Sequence, residues 1–183
     1  MKFRNKFEKP IHAFLISLLA AGILHSAPAS PPNIIIILAD DMGYGDPAYA
    51  GGKIATPHLD RLAKEGMQFS DAHTSSAVCT PTRYGILTGR YNWRSPMKKG
   101  VLNGFRKPLI PESRMTVARL LGEAGYMSSV IGKWHLGLDW KKLEKPTRKG
   151  NGWDVDYTAK VNGEPPALGF TEDFLYPASL ESI

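Results

Sequence analysis

After Asn33, residues Ile34-Ile35-Ile36-Ile37-Leu38-Ala39 form an unbroken apolar, largely β-branched run that stops at Asp40-Asp41-Met42-Gly43. A strand with one wet face alternates polar and apolar positions. A run that is apolar at every position suits a strand covered on both faces, as the central strands of a parallel sheet are. The rest of the chain supplies the layers such a strand needs. Thr56-Pro57 opens a helix with Thr56 as N-cap, an apolar face of Leu59, Leu62 and Ala63, and Gly66 as its C′ residue. A short strand is expected at Met67–Ser70. A Ser/Thr-rich loop then leads into Cys79-Thr80-Pro81-Thr82-Arg83 and a short helix through Leu87. A further helix over about 113–123 carries Val117, Leu120, Leu121 and Ala124 at helical spacing, with Gly125 at its end. The strand Met127–Ile131 follows and runs into Gly132-Lys133-Trp134-His135-Leu136-Gly137. Alternating strands and helices predict an α/β fold, a mostly parallel central sheet flanked by helices. In such sheets functional groups gather just past the carboxyl ends of strands, where Asp40-Asp41 and Lys133-His135 fall.

The first 29 residues read as a separate segment. Lys2, Arg4, Lys6 and Lys9 precede an apolar run from Ile11 to Leu24 that ends at Ala27-Pro28-Ala29. The run is short for a membrane span, and its flanks are those of a cleaved signal peptide. The expectation is therefore a secreted or periplasmic protein with residues 30–183 as its folded part and no stable membrane anchor. The net charge of +6 over 183 residues includes the four basic leader residues, and the modest remainder does not suggest nucleic-acid binding. The basic stretch Lys141–Lys149 reads as a solvated loop. A single cysteine excludes both an intramolecular disulfide and a Cys-rich zinc site.

Three groups can carry chemistry. Adjacent Asp40 and Asp41 repel each other unless a cation or a positive side chain lies between them. They suit a hard divalent metal, or else cap the turn ahead of Gly43. With Pro81 in a first helical turn, Cys79 sits at a helix N-terminus and Arg83 one turn along. Backbone N–H groups, the helix dipole and a guanidinium then favour a tetrahedral oxyanion, whereas an inert buried thiol is the plain alternative. A thiol-phosphatase loop would place Arg six residues after the nucleophile, and that position is Gly85. Lys133 and His135, two apart in an extended segment, point to the same side and could hold an anion and move a proton near neutral pH. His58 falls in a first helical turn and reads as structural. His73 has no supporting neighbour.

Together these stretches resemble the sulfatase family, the type I sulfatases of the alkaline-phosphatase-like superfamily. The matching segments are Pro32–Asp46, Thr56–Ala63, Cys79-Thr80-Pro81-Thr82-Arg83 with Leu87-Thr88-Gly89-Arg90, and Gly125-Tyr126 with Gly132–Gly137. The resemblance implies a sulfuric ester hydrolase in which a maturation enzyme oxidises Cys79 to formylglycine. One hydroxyl of its hydrate attacks the sulfate ester, and the second allows sulfate to leave by elimination. It further implies that Asp40 and Asp41, with the modified Cys79, bind a divalent metal, most simply Ca²⁺. Arg83 steadies that shell, Lys133 holds nucleophile and sulfate, and His135 assists deprotonation. Ser179 lines the pocket.

Two departures accompany the likeness. His58 stands where the family usually has Asn. The later Asp-Asn metal pair, the second His and the second Lys of such sites are absent, so the chain reads as the N-terminal part of a sulfatase. A phosphatase or phosphonate hydrolase of the same superfamily, and an inactive fragment, are the competing expectations. Aryl and carbohydrate sulfates both fit as substrates.

Overall fold

The computed structural model describes residues 30–178, so the leader and Ser179 lie outside the described residues. The chain divides into two compact units, Met1–Ala39 and Asp40–Ile183. In the first, the apolar run 34–39 is not a strand: Ile35 and Ile37 are 84% and 83% exposed. This corrects the expectation of a buried central strand. Its composition asks for ladder partners on both sides, and no described residue pairs with it as a strand.

Among the described residues the second unit contains three α-helices and two strands. Helix α1, Pro57–Glu65, begins and ends as expected, with proline in its first turn. Its apolar face is not buried, and Leu62 stands open to solvent. Thr56 does not cap it through a backbone N–H: its hydroxyl donates to Asp60 Oδ1 and accepts from the N–H of Ala48, tying the helix to the 3₁₀ turn Ala48–Ala50. Gly66 is extended and not left-handed. Residues 67–70 form no strand.

Helix α2, Cys79–Thr88, buries Thr80, Pro81, Thr82 and Tyr84 and closes on Gly89 at φ 64°. A Cβ on Gly85 would lie 2.3 Å from Ser75 Oγ, so the loop before the helix can fold against it only because that position is glycine. Helix α3, Val117–Glu123, starts four residues later than the apolar spacing suggested. Thr116 is the reason: its hydroxyl accepts the N–H of Arg119, the N-cap bond that sets the first turn.

Strands β1, Ser129–Lys133, and β2, Glu172–Tyr176, pair in parallel with Lys133 opposite Tyr176. The pairing continues past their ends, where the N–H groups of Trp134 and His135 donate to the carbonyls of Tyr176 and Pro177 at 2.9 Å. Beyond this rim lies the core, built from Tyr84, Leu109, Ile110, Trp134, Leu136, Leu138 and Leu168. Leu109 N–H donates to Leu136 O at 2.8 Å and Leu138 N–H to Arg106 O at 2.9 Å, so the loop before α3 is stitched to the exit of β1. Gly137, at φ 80°, permits this approach: a Cβ there would stand 2.2 Å from Lys107 O.

Thr116 also donates its buried hydroxyl to Leu168 O at 2.5 Å. The near-isosteric Thr116→Val strands both the cap and that carbonyl. It is expected to lower unfolding free energy by about 1–3 kcal/mol. Chemical denaturation monitored by tryptophan fluorescence measures this, and an unchanged midpoint would contradict it.

Candidate active site

At the carboxyl end of β1 the Lys133 side chain is 4% exposed, a burial that an ammonium tolerates only with a partner. Its Nζ donates to Asp40 Oδ2 at 2.6 Å. Arg83, one turn into α2, donates through one guanidinium nitrogen to Lys133 O at 2.5 Å. Its other terminal nitrogen lies 3.4 Å from Asp40 Oδ1. Three predicted site residues from three distant stretches thus meet, and two positive side chains answer the negative charge at Asp40. The hydrogen bond from Lys133 leads the causes that hold the Asp40 carboxyl below its usual range, outweighing its partial desolvation. For Lys133 the largest single influence, burial, pulls the pKa down. The hydrogen bond with Asp40 leads the influences that overcome it and hold the ammonium above its ordinary value.

Asp41 is exposed, with left-handed backbone at φ 58°, a conformation that Asp tolerates. The turn-capping alternative falls to another carboxylate, since Asp46 Oδ2 accepts the N–H of Gly43 at 2.6 Å. Cys79 is a free, partly exposed thiol in the first turn of α2, with Pro81 in that same turn, as its spacing predicted. Pro81 has no N–H and the Thr82 N–H donates to Val78 O at 3.3 Å, so in this turn only the N–H groups of Cys79 and Thr80 lack an intrahelical acceptor.

His135 corrects the expected extended geometry. Its φ of 56° is left-handed, so strict alternation does not aim its ring. The ring is fully buried, and its Nε2 lies 2.5 Å from Leu102 O. A carbonyl only accepts, so Nε2 carries the proton and Nδ1 presents a lone pair. Burial, followed by the nearby positive charges of Lys133 and Arg83, pushes the His135 pKa down despite the Leu102 bond, which keeps the ring neutral near pH 7. Nδ1 has no hydrogen-bond partner, and neither has the buried Nε of Arg83. One free acceptor and one free donor are therefore buried on two of the predicted site residues.

Thr80 was missed in the sequence. Its buried hydroxyl donates to His135 O at 2.9 Å and accepts the N–H of Leu102 at 3.2 Å. It occupies a variable position of the C-x-P-x-R pattern, and only its place beside Cys79 marked it out. Leu102 acts through its backbone, which leaves no trace in residue identity. His73 does have a neighbour, Asp71 Oδ1 at 2.6 Å, on an exposed loop away from these contacts.

A family model described as Sulfatase matches residues 32–175. The chain belongs to the sulfatase family. It is 40% identical over 153 residues to the N-acetylgalactosamine-6-O-sulfatase of Bacteroides thetaiotaomicron, a match spanning 83% of this chain and 28% of that protein. Human arylsulfatase A is 42% identical over 137 residues, 74% of this chain and 26% of the relative. A solved Bacteroides thetaiotaomicron 6S-sulfatase, from work on glycosaminoglycan metabolism, superposes with a TM-score of 0.72 at 40% identity over 83% of this chain and 29% of that one. The fold of this sulfatase chain is thus α/β of the alkaline-phosphatase-like kind. The chain spans less than a third of the length of these relatives.

Because the folded-state pKa of Asp40 is lowered, its ion pairs add stability that is fully present above the unfolded carboxylate pKa of about 3.9 and lost as pH falls through the folded value. Asp40→Asn leaves Lys133 buried without its charge partner. Since Asp40 itself is 38% exposed, the loss at pH 7 is expected near the low end of about 1–3 kcal/mol. The difference between variant and parent is expected to shrink below pH 4. Denaturant titrations from pH 7 down to about pH 2 check this, and a gap of unchanged size across that range would refute it.

Proposed function

We propose that residues 30–183 supply part of the catalytic domain of a secreted sulfuric ester hydrolase, in which Cys79 is converted to formylglycine by a maturation enzyme. The observation that carries this reading is the set of groups gathered by the helix of Cys79 and the end of β1: a helix N-terminus, a buried lysine charge-paired with Asp40, and an arginine Nε–H and a histidine Nδ1 lone pair without partners. Each has a use when a sulfate ester and a hydroxylated nucleophile are bound.

When bound, the hydrated formylglycine would supply two hydroxyls on one carbon, and a divalent cation would polarise a sulfate oxygen. The donors here fit a hard cation in kind. Asp40 and Asp41 offer carboxylate oxygens, and modified Cys79 would add another. They do not complete its shell, because Ca²⁺ takes about 6–8 oxygens. Among the described residues no group of three or more His, Cys, Asp or Glu side chains converges on a point. Asp40 and Asp41 would therefore hold part of the metal's shell.

The remaining work falls to the chain's own side chains. Lys133, kept charged by Asp40, supplies a point charge to a sulfate oxygen. Arg83 has an Nε–H to give an anion while its terminal nitrogens keep Asp40 and the Lys133 carbonyl in place. His135, neutral with Nε2 protonated, can accept a hydroxyl proton at Nδ1. The first-turn N–H groups of α2 favour the negative charge. In the net reaction water adds across the S–O bond: the alcohol leaves with a proton and sulfate departs with the other oxygen. Ser179 is proposed to line the pocket.

Mass spectrometry of the Cys79 peptide, after co-expression with a formylglycine-generating enzyme that modifies a control substrate, is expected to show an aldehyde that reacts with hydrazide. An unmodified thiol would remove this mechanism. Asp41→Ala is expected to weaken Ca²⁺ binding by roughly tenfold or more, read by calorimetry; unchanged affinity would count against Asp41 as a ligand.

A further inference from the structure

Between Asp71 and Glu112 the chain contains no acidic residue, yet it carries Arg83, Arg90, Arg94, Lys98, Lys99, Arg106 and Lys107. The last four line one open cavity of about 700 Å³, within the range that small-molecule sites occupy. The apolar part of its wall comes from Met97, Leu102 and Phe105. The charge there is barely neutralised. Lys98 donates to Trp93 O, Lys107 reaches Asp139 only at 3.9 Å, and Lys99 and Arg106 are exposed and have no acidic partner among the described residues.

The basic loop that stands out in the sequence behaves differently. Lys142 pairs with Asp154 at 3.1 Å and Lys141 with Asp156 at 3.6 Å, while Arg148 lies over the Trp153 ring. Two of that loop's cations thus have carboxylate partners within 3.6 Å, whereas in the cavity only Lys107 approaches a carboxylate, at 3.9 Å.

The cavity wall is also held in place. Leu102 is gripped through its N–H by Thr80 and through its carbonyl by His135. Trp140 donates to Gly104 O at 2.8 Å, and Ser95 accepts the Met97 N–H at 3.1 Å. Leu102 is thus shared between this wall and His135, a residue of the candidate reaction centre.

We propose that this cavity is a subsite for a second anionic group, a sulfate or carboxylate, of a saccharide whose scissile sulfate sits at Lys133 and Cys79. This rests on the sulfate-ester reading above and narrows its substrate class to polyanionic carbohydrate. Lys99 and Arg106 take the charge, and the Phe105, Met97 and Leu102 surface takes the apolar face of a sugar ring.

Calorimetric binding of a disulfated disaccharide, against the monosulfated disaccharide of the same sugars, tests it on the unmodified chain. Binding without turnover can be read even if Cys79 is never oxidised, so failure of the formylglycine mechanism and failure of the subsite are separable. The expected result is at least tenfold tighter binding of the disulfated sugar at low salt, with a steeper loss of affinity as salt rises. Lys99→Gln with Arg106→Gln should shrink the preference below twofold and leave the monosulfated sugar unaffected, whereas Lys160→Gln, an exposed control, should change neither. Equal binding of the two sugars by the parent chain would overturn the proposal. So would a preference that survives the double substitution, or one lost equally in the control. Because both altered side chains are exposed, folding is expected to hold. The salt dependence of the parent alone decides the matter otherwise: parallel slopes for the two sugars would also overturn it.

Discussion

Thr80 offers one hydroxyl, and both of its hydrogen-bonding capacities are used in the interior. It donates to His135 O, just past β1, and accepts from Leu102 N–H, in the loop before α3. Three stretches separated by 22 and 55 positions thereby meet at the residue after Cys79. A buried hydroxyl with both capacities filled constrains position more than an apolar contact, because sliding any partner leaves an unsatisfied polar group. The orientation of His135 follows: with its carbonyl fixed by Thr80 and its Nε2 by Leu102, the left-handed backbone is over-determined and the Nδ1 lone pair has a defined place. The thiol-bearing helix, the histidine and the cationic cavity are one assembly.

What was legible in the sequence were features whose physics is local. Pro57 and Gly66 bracketed α1, and Pro81 marked the first turn of α2. The crowding of Asp40 against Asp41 anticipated a positive neighbour, and Lys133 and Arg83 supply it. What the residues could not show was any contact decided by chains far apart. The start of α3 depended on which polar residue won the cap, and Thr116 won it while also reaching Leu168 O. The direction of His135 depended on a backbone carbonyl 33 positions away.

Charge follows the same division. A run such as Lys141–Lys149 looks like the basic feature of the chain, yet Asp154 and Asp156 fold back on it. Lys99 and Arg106, which have no acidic partner among the described residues, are separated by a stretch of mostly apolar and glycine residues. Density along the sequence is therefore a poor guide to field in space, where what counts is whether an acid lies within reach.

The apolar run before Asp40 is where local reading and structure part most sharply, and its failure has a physical form. Apolarity at every position describes an environment, a neighbour on each edge and a layer on each face, and no property of the run itself can provide it. The strands that do form meet the same limit: the register partners Ile131 and Phe174 are 78% and 81% exposed on their outer face. A chain spanning less than a third of its relatives' length carries sheet surfaces written for more neighbours than its described residues supply. Short motifs escape this limit. The contacts of Arg83, Lys133 and Asp40 with one another, and of Thr80 with His135 and Leu102, need only the helix, the strand end and the loops beside them, all of which are present. The candidate reaction centre is accordingly better defined than the sheet that carries it.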